Sequence, residues 1–196
     1  MKKLLLLLLL CPFMAIAGYL PGTITFNDGS SKFGLLEVPK RHDKQEISFK
    51  TDKKAKDVKF SINDVKQFVF TAEDNTEVTF ITLRLANPKA FSGKYKIEEE
   101  KSWVRLEWDG EVKILIAFVN GAVYYIQKPN EDYARYLAVF YGGFTFGEFN
   151  VMKKMVGFIF KEDCPNLEDS LKKEDFKAKG VNLVGIMYEQ VCDKQE

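Results

Sequence analysis

The chain has one histidine, His42, and three cysteines, Cys11, Cys164 and Cys192. A zinc site takes about four Cys, His or carboxylate ligands at recognisable spacings, and this scattered set does not supply one. A nucleophilic cysteine wants a base, and His42 sits in a charged loop far off in sequence. Neither sign of charge is in excess. The 29 Lys+Arg against 28 Asp+Glu argue against a nucleic-acid partner, which calls for a strongly basic face. There is no GxSxG, P-loop, HExxH or GxGxxG. After the first 17 residues no apolar run reaches the roughly 20 residues that cross a bilayer. The reading is therefore non-enzymatic, with no catalytic residues, metal ligands or cofactor to name.

What is present begins with "MKKLLLLLLLCPFMAIAG". Lys2 and Lys3 precede an apolar run, and Ala15-Ile16-Ala17 fits the small-x-small cleavage rule. Residues 1–17 read as a secretory signal peptide cut after Ala17. The alternative is a lipoprotein anchored at Cys11, which ranks second because Leu10 is larger than the residue usually found there. Cleavage removes Cys11 and the two lysines. It leaves a slightly acidic chain from Gly18 with two thiols, Cys164 and Cys192. A pair of thiols in an exported chain points to one disulfide and to the periplasm or the exterior.

From Gly18 to about Gln127 the pattern is that of strands. "GTITFNDGSSKFGLLEV" reads as two strands around Asn27-Asp28-Gly29, and "EISFK" as a third. "DVKFSINDVKQFVF" holds two short runs and "EVTFITLRL" another. A meander follows, "SWVRLEW", "EVKILIAFV" and "AVYYIQK", turning at Asp109-Gly110 and Asn120-Gly121 as type I′ hairpins do. Ile114 to Val119 is apolar on both faces and is expected at the sheet's centre. From Asn150 the period becomes helical: Met152, Met155, Val156 and Ile159 share one face, as do Val184, Met187, Tyr188 and Val191. Cys164 opens the second expected helix and Cys192 ends the third, each on the apolar side. Antiparallel packing would let them meet.

The segments "GTITFNDGSSKFGLLEV", "FSINDVKQFVF", Tyr124 to Lys128 and "FKEDCPNLEDSLKKEDF…MYEQVC" resemble a group of exported Bacteroidota proteins. Their distinctive element is Asp163-Cys164-Pro165, at the head of a short helical tail behind a β-rich part. The resemblance implies a cell-envelope location. It carries no assigned activity and no catalytic residues. Gly180 and Gly185 depart from the more regular tail helix of that group.

Three further stretches have two readings each. In "YLAVFYGGFTFGEF", Tyr141, Phe144 and Phe146 form either an aromatic surface for a ligand or partner, or a core hairpin turning at Gly142-Gly143. The core is favoured, because buried aromatics are ordinary in small β domains. Glu98-Glu99-Glu100 with Glu107 and Asp109 read as a solvated charge run rather than a carboxylate pair across a cleft. "KTDKKAKDVK" reads as a solvated turn rather than a phosphate site, and His42 as exposed loop.

The expectation is an α+β protein. A mostly antiparallel twisted sheet of about 8–10 short strands, or small SH3-like barrels, spans 18–149. A helical tail over 150–196 packs on or beside it. The leading function is that of an exported cell-envelope protein that binds a protein partner or assembly. A small apolar ligand in a barrel cavity or under the tail comes second, and a hydrolase with an unrecognised carboxylate site third. No pattern sets the oligomeric state.

Overall fold

A computed structural model describes residues 18–72, 74–89, 94–119, 121–140 and 146–192, with the backbone alone at Phe146. The leader, Tyr141 and Phe144 lie outside the described residues, as do Asn120 and Gly142-Gly143.

Ten strands form one mixed sheet: β1 (Tyr19–Phe26), β2 (Ser31–Glu37), β3 (Glu46–Lys50), β4 (Val58–Ser61), β5 (Val65–Thr71), β6 (Glu77–Pro88), β7 (Tyr95–Asp109), β8 (Lys113–Phe118), β9 (Ala122–Gln127) and β10 (Tyr133–Phe140). The order is β10-β9-β8-β7-β6-β5-β1-β2-β3-β4. β10 also pairs with β6, in parallel, through Tyr133↔Arg84 and Arg135↔Ala86. β6 can serve both neighbours because it is long. Glu77–Ile81 pair with β5, and Arg84–Ala86 pair with β10. The five strands β6 to β10 therefore close into a barrel, while β1 to β5 form an open roll continuous with it.

Alternation sets the cores. Ile24, Leu36, Phe49, Phe68 and Phe80 fill the roll, with Trp103 from β7. Leu83, Leu85, Val104, Leu115, Ala117 and Tyr125 fill the barrel interior. β8 lies between β7 and β9 and is buried on both faces, as its unbroken apolar run requires. Leu115 and Ala117 join the barrel core, and Ile114 joins the helical core.

The tail comprises α1 (Phe146–Ile159), α2 (Leu167–Ser170), α3 (Lys173–Lys179), a 3-10 turn (Gly180–Asn182) and α4 (Leu183–Val191). Met152, Val156, Ile159, Leu171, Phe176 and Val184 pack onto Val112, Ile114, Ile126 and Leu137. Cys164 and Cys192 are bridged, with Cα atoms 5.6 Å apart.

Several details differ from the sequence reading. Phe146 opens α1 rather than standing on a hairpin strand, so the helix begins earlier than Asn150. The charged run Glu98–Glu100 belongs to β7, not to a loop. Gly110 takes no positive φ, because the Asp109↔Lys113 turn is longer than a two-residue hairpin. Val112 from that turn is fully buried under the helices, which accounts for the extra length. α4 runs through Gly185 unbroken, and the position suits glycine because a Cβ there would overlap the Trp108 indole. Gly180 does interrupt the tail, at φ +59°.

Candidate functional site

The segment Val38–Gln45 between β2 and β3 crosses from the roll to the barrel. Two of its cations are paired: Arg41 Nε donates to Asp43 Oδ1 at 3.0 Å, and Lys44 Nζ to Glu37 Oε2 at the end of β2 at 2.8 Å. These pairs hold the Glu37 and Asp43 carboxyls below their ordinary range, chiefly through the lysine and arginine hydrogen bonds. The backbone and the uncharged polar groups reach across. The Trp103 N–H donates to the His42 carbonyl at 2.8 Å, and Gln45 Nε2 donates to the Lys101 carbonyl at 3.3 Å. His42 Nδ1 lies 3.4 Å from the Phe118 carbonyl. His42 is thus half-buried and tied to β7 and β8, a correction to its reading as exposed loop. The charges of "KRHDK" hid this, because the bonds that fix the strap run through backbone groups and Gln45.

Where the strap leaves the roll, the two halves of the sheet enclose an open trough of about 560 Å³. Phe70, Val78, Phe80 and Phe118 supply its apolar wall, and Val38 and Pro39 its edge. Phe70 and Phe80 are anchored in the roll core with ring centres 5.9 Å apart. Val78 and Phe118 remain half-buried. Two cations stand at the trough. Arg105 pairs with Glu107 and lies 5.3 Å above the Phe118 ring, and its buried Nε has no hydrogen-bond partner among the described residues. Lys40 is exposed and makes no ion pair among the described residues. An apolar floor with a cation at its rim suits an apolar group that carries negative charge beside it.

Glu98, Glu99 and Glu100 line a broader cleft on the other side of His42, about 640 Å³ in volume, together with Lys96 and Lys101. Glu107 and Asp109 do not join them, being ion-paired with Arg105 and Lys113. Among the described residues no group of three or more His, Cys, Asp or Glu side chains is placed to hold a metal ion. The barrel interior and the space beneath the helices, named from sequence as ligand cavities, are occupied by the side chains of the two cores. Tyr141 and Phe144 fall outside the described residues, and Phe146 contributes backbone only. The trough's own residues were read from sequence as ordinary strand residues. The chain was compared with family models, with curated proteins and with solved structures, and it matches none of them.

Proposed function

We propose that this is a non-enzymatic exported protein of the cell envelope that acts by binding a protein partner, and that the trough at the seam of the two β units is its seat. The carrying observation is the apolar wall of Phe70, Val78, Phe80 and Phe118 with Lys40, which makes no ion pair among the described residues, at its rim. It fits an apolar anchor side chain flanked by an acidic residue, since anchors in pockets dominate binding energy while rim charges set approach and register. The export part of the reading rests on the leader "MKKLLLLLLLCPFMAIAG" and on the Cys164–Cys192 bridge, a bond typical of oxidising compartments. No helix among the described residues is long and apolar enough to cross a membrane.

The test is a pull-down from the native cell envelope with wild type, Lys40→Glu and Val78→Glu. A protein captured by wild type and lost by both variants supports the reading. Equal capture by all three overturns the trough as the seat. A second reading is a small apolar ligand in the same trough, favoured by its volume, which lies within the range of about 300–1,000 Å³ usual for ligand pockets. Native mass spectrometry of protein purified from its own cells separates the two: a bound small molecule, displaced in Val78→Glu, selects the second.

A further inference from the structure

A second concavity, about 570 Å³, lies where the end of α1 meets the barrel. Its walls converge from four places. Tyr95 comes from the start of β7, Lys128 from the end of β9, Tyr133 and Arg135 from β10, and Phe158 and Lys161 from the end of α1 and the residues beyond it. The Arg135 guanidinium is held in place on three sides. It lies 5.7 Å from the Tyr95 ring and 5.4 Å from the Tyr133 ring, and its Nε donates to Glu131 Oε2 at 3.2 Å. That carboxylate bond raises its pKa further, so it stays charged. Phe158 is 49% exposed, its ring centre 6.0 Å from that of Tyr95. A half-exposed phenylalanine beside a fixed guanidinium presents an aromatic face and a charge to the same small volume.

Cations outnumber acids among the side chains that line the cleft. Lys94, Lys128, Arg135 and Lys161 line the cleft, against Glu162 in its wall. Lys128 is paired with Asp163 and Arg135 with Glu131. Lys161 has no ion pair among the described residues. The volume is that of a small-molecule pocket rather than of an extended groove. We propose that this cleft binds a small organic anion with an aromatic or broad apolar body. The body lies against Phe158 and Tyr95, and the anionic group faces Arg135 and Lys161. Charge-assisted bonds to a fixed guanidinium set its orientation. This site is separate from the trough and does not depend on the partner-binding reading.

The probe is 1-anilinonaphthalene-8-sulfonate, with N-phenyl-1-naphthylamine as its uncharged counterpart, titrated by fluorescence into the full mature chain. Circular dichroism checks that each variant is folded. All three substituted side chains are exposed. Lys161→Glu reverses the charge at this wall and is expected to weaken sulfonate binding roughly fivefold or more at low salt. Glu162→Gln is expected to tighten it, a gain that loss of structure would not produce. Phe158→Ser is expected to weaken both dyes, whereas the charge variants leave the uncharged dye unchanged. Sulfonate binding that is the same in Lys161→Glu and Glu162→Gln overturns the proposal. So does binding abolished by Val78→Glu in the trough but untouched in the cleft variants.

Discussion

Replacing Cys164 and Cys192 together by serine should lower stability by about 3.5 kcal/mol. The bridge closes a loop 28 positions long, and the chain-entropy relation for such a loop gives that value. For a protein of this size, about 2–4 °C of melting temperature is lost per kcal/mol, so a drop near 10 °C is expected. The native tail should nonetheless stay docked. Its hold on the barrel is the packing of Met152, Val156, Phe176 and Val184 over Ile114, Ile126 and Leu137, and the bridge acts mainly by restricting the unfolded chain. Two measurements decide the matter. Denaturant melts of wild type and the double variant give the stability difference. Hydrogen exchange under native conditions locates it, and amides of α4 near Cys192 should lose the most protection, with β6–β9 following only the global change. A stability difference under about 1 kcal/mol would refute the reasoning. So would two alkylatable thiols in the unreduced protein.

Other outcomes follow from single groups. Gly185→Ala should cost about 1–3 kcal/mol in a thermal melt despite the better helix former, because its Cβ overlaps the Trp108 indole. Gly147→Ala, in open space on α1, should be neutral or stabilising by less than about 1 kcal/mol; equal losses in both would refute the packing argument. Burial pushes the Tyr125 phenol up to about 12, with Tyr136 and Glu98 adding to the shift. Its folded pKa exceeds the unfolded value near 10, so its contribution, on the order of a few kcal/mol, is complete below pH 10 and is lost as pH rises toward 12. Tyr95 is shifted the same way by burial. Urea melts from pH 9 to 11.5 should show the decline, and Tyr125→Phe should make it shallower; a flat profile would refute it. N-terminal sequencing of the exported protein should begin at Gly18, and a lipid on Cys11 would overturn the cleavage reading.

Much of the fold was legible because its driving pattern is local. Period-two alternation marked the strands of the roll, and the Asn27-Asp28-Gly29 turn forms with Gly29 at φ +86°. The apolar positions of Met152, Val156 and Val184 marked the helices. A small barrel was among the expectations, but the strand pair that closes it was not legible, because the parallel pairing of β10 on β6 joins residues far apart that carry no mark of it. The length of β7 was hidden by Glu98–Glu100, whose charges sit on a solvated stretch of strand. Gly185 looked like a helix breaker until its contact with Trp108 was seen. The disulfide was legible from two thiols at the ends of apolar helical faces. The trough was not, because it assembles Val38, Phe70, Phe80 and Phe118 from four separate strands or loops. Each is unremarkable in its own segment.

The sharing of β6 between two partners sets an order of events for the chain as it folds. The meander β7-β8-β9 joins neighbours in sequence and can form early, whereas Tyr133 must find Arg84 across about fifty intervening positions. Until it does, Arg84–Ala86 present bare N–H and C=O groups along an edge already aligned by β7. Such an edge is a template for any passing strand, including that of another copy. The roll cannot shield it, since β5 covers the other half of the same strand. Closure by β10 therefore covers the last open stretch of this edge, and the tail packs on the outer face of β10.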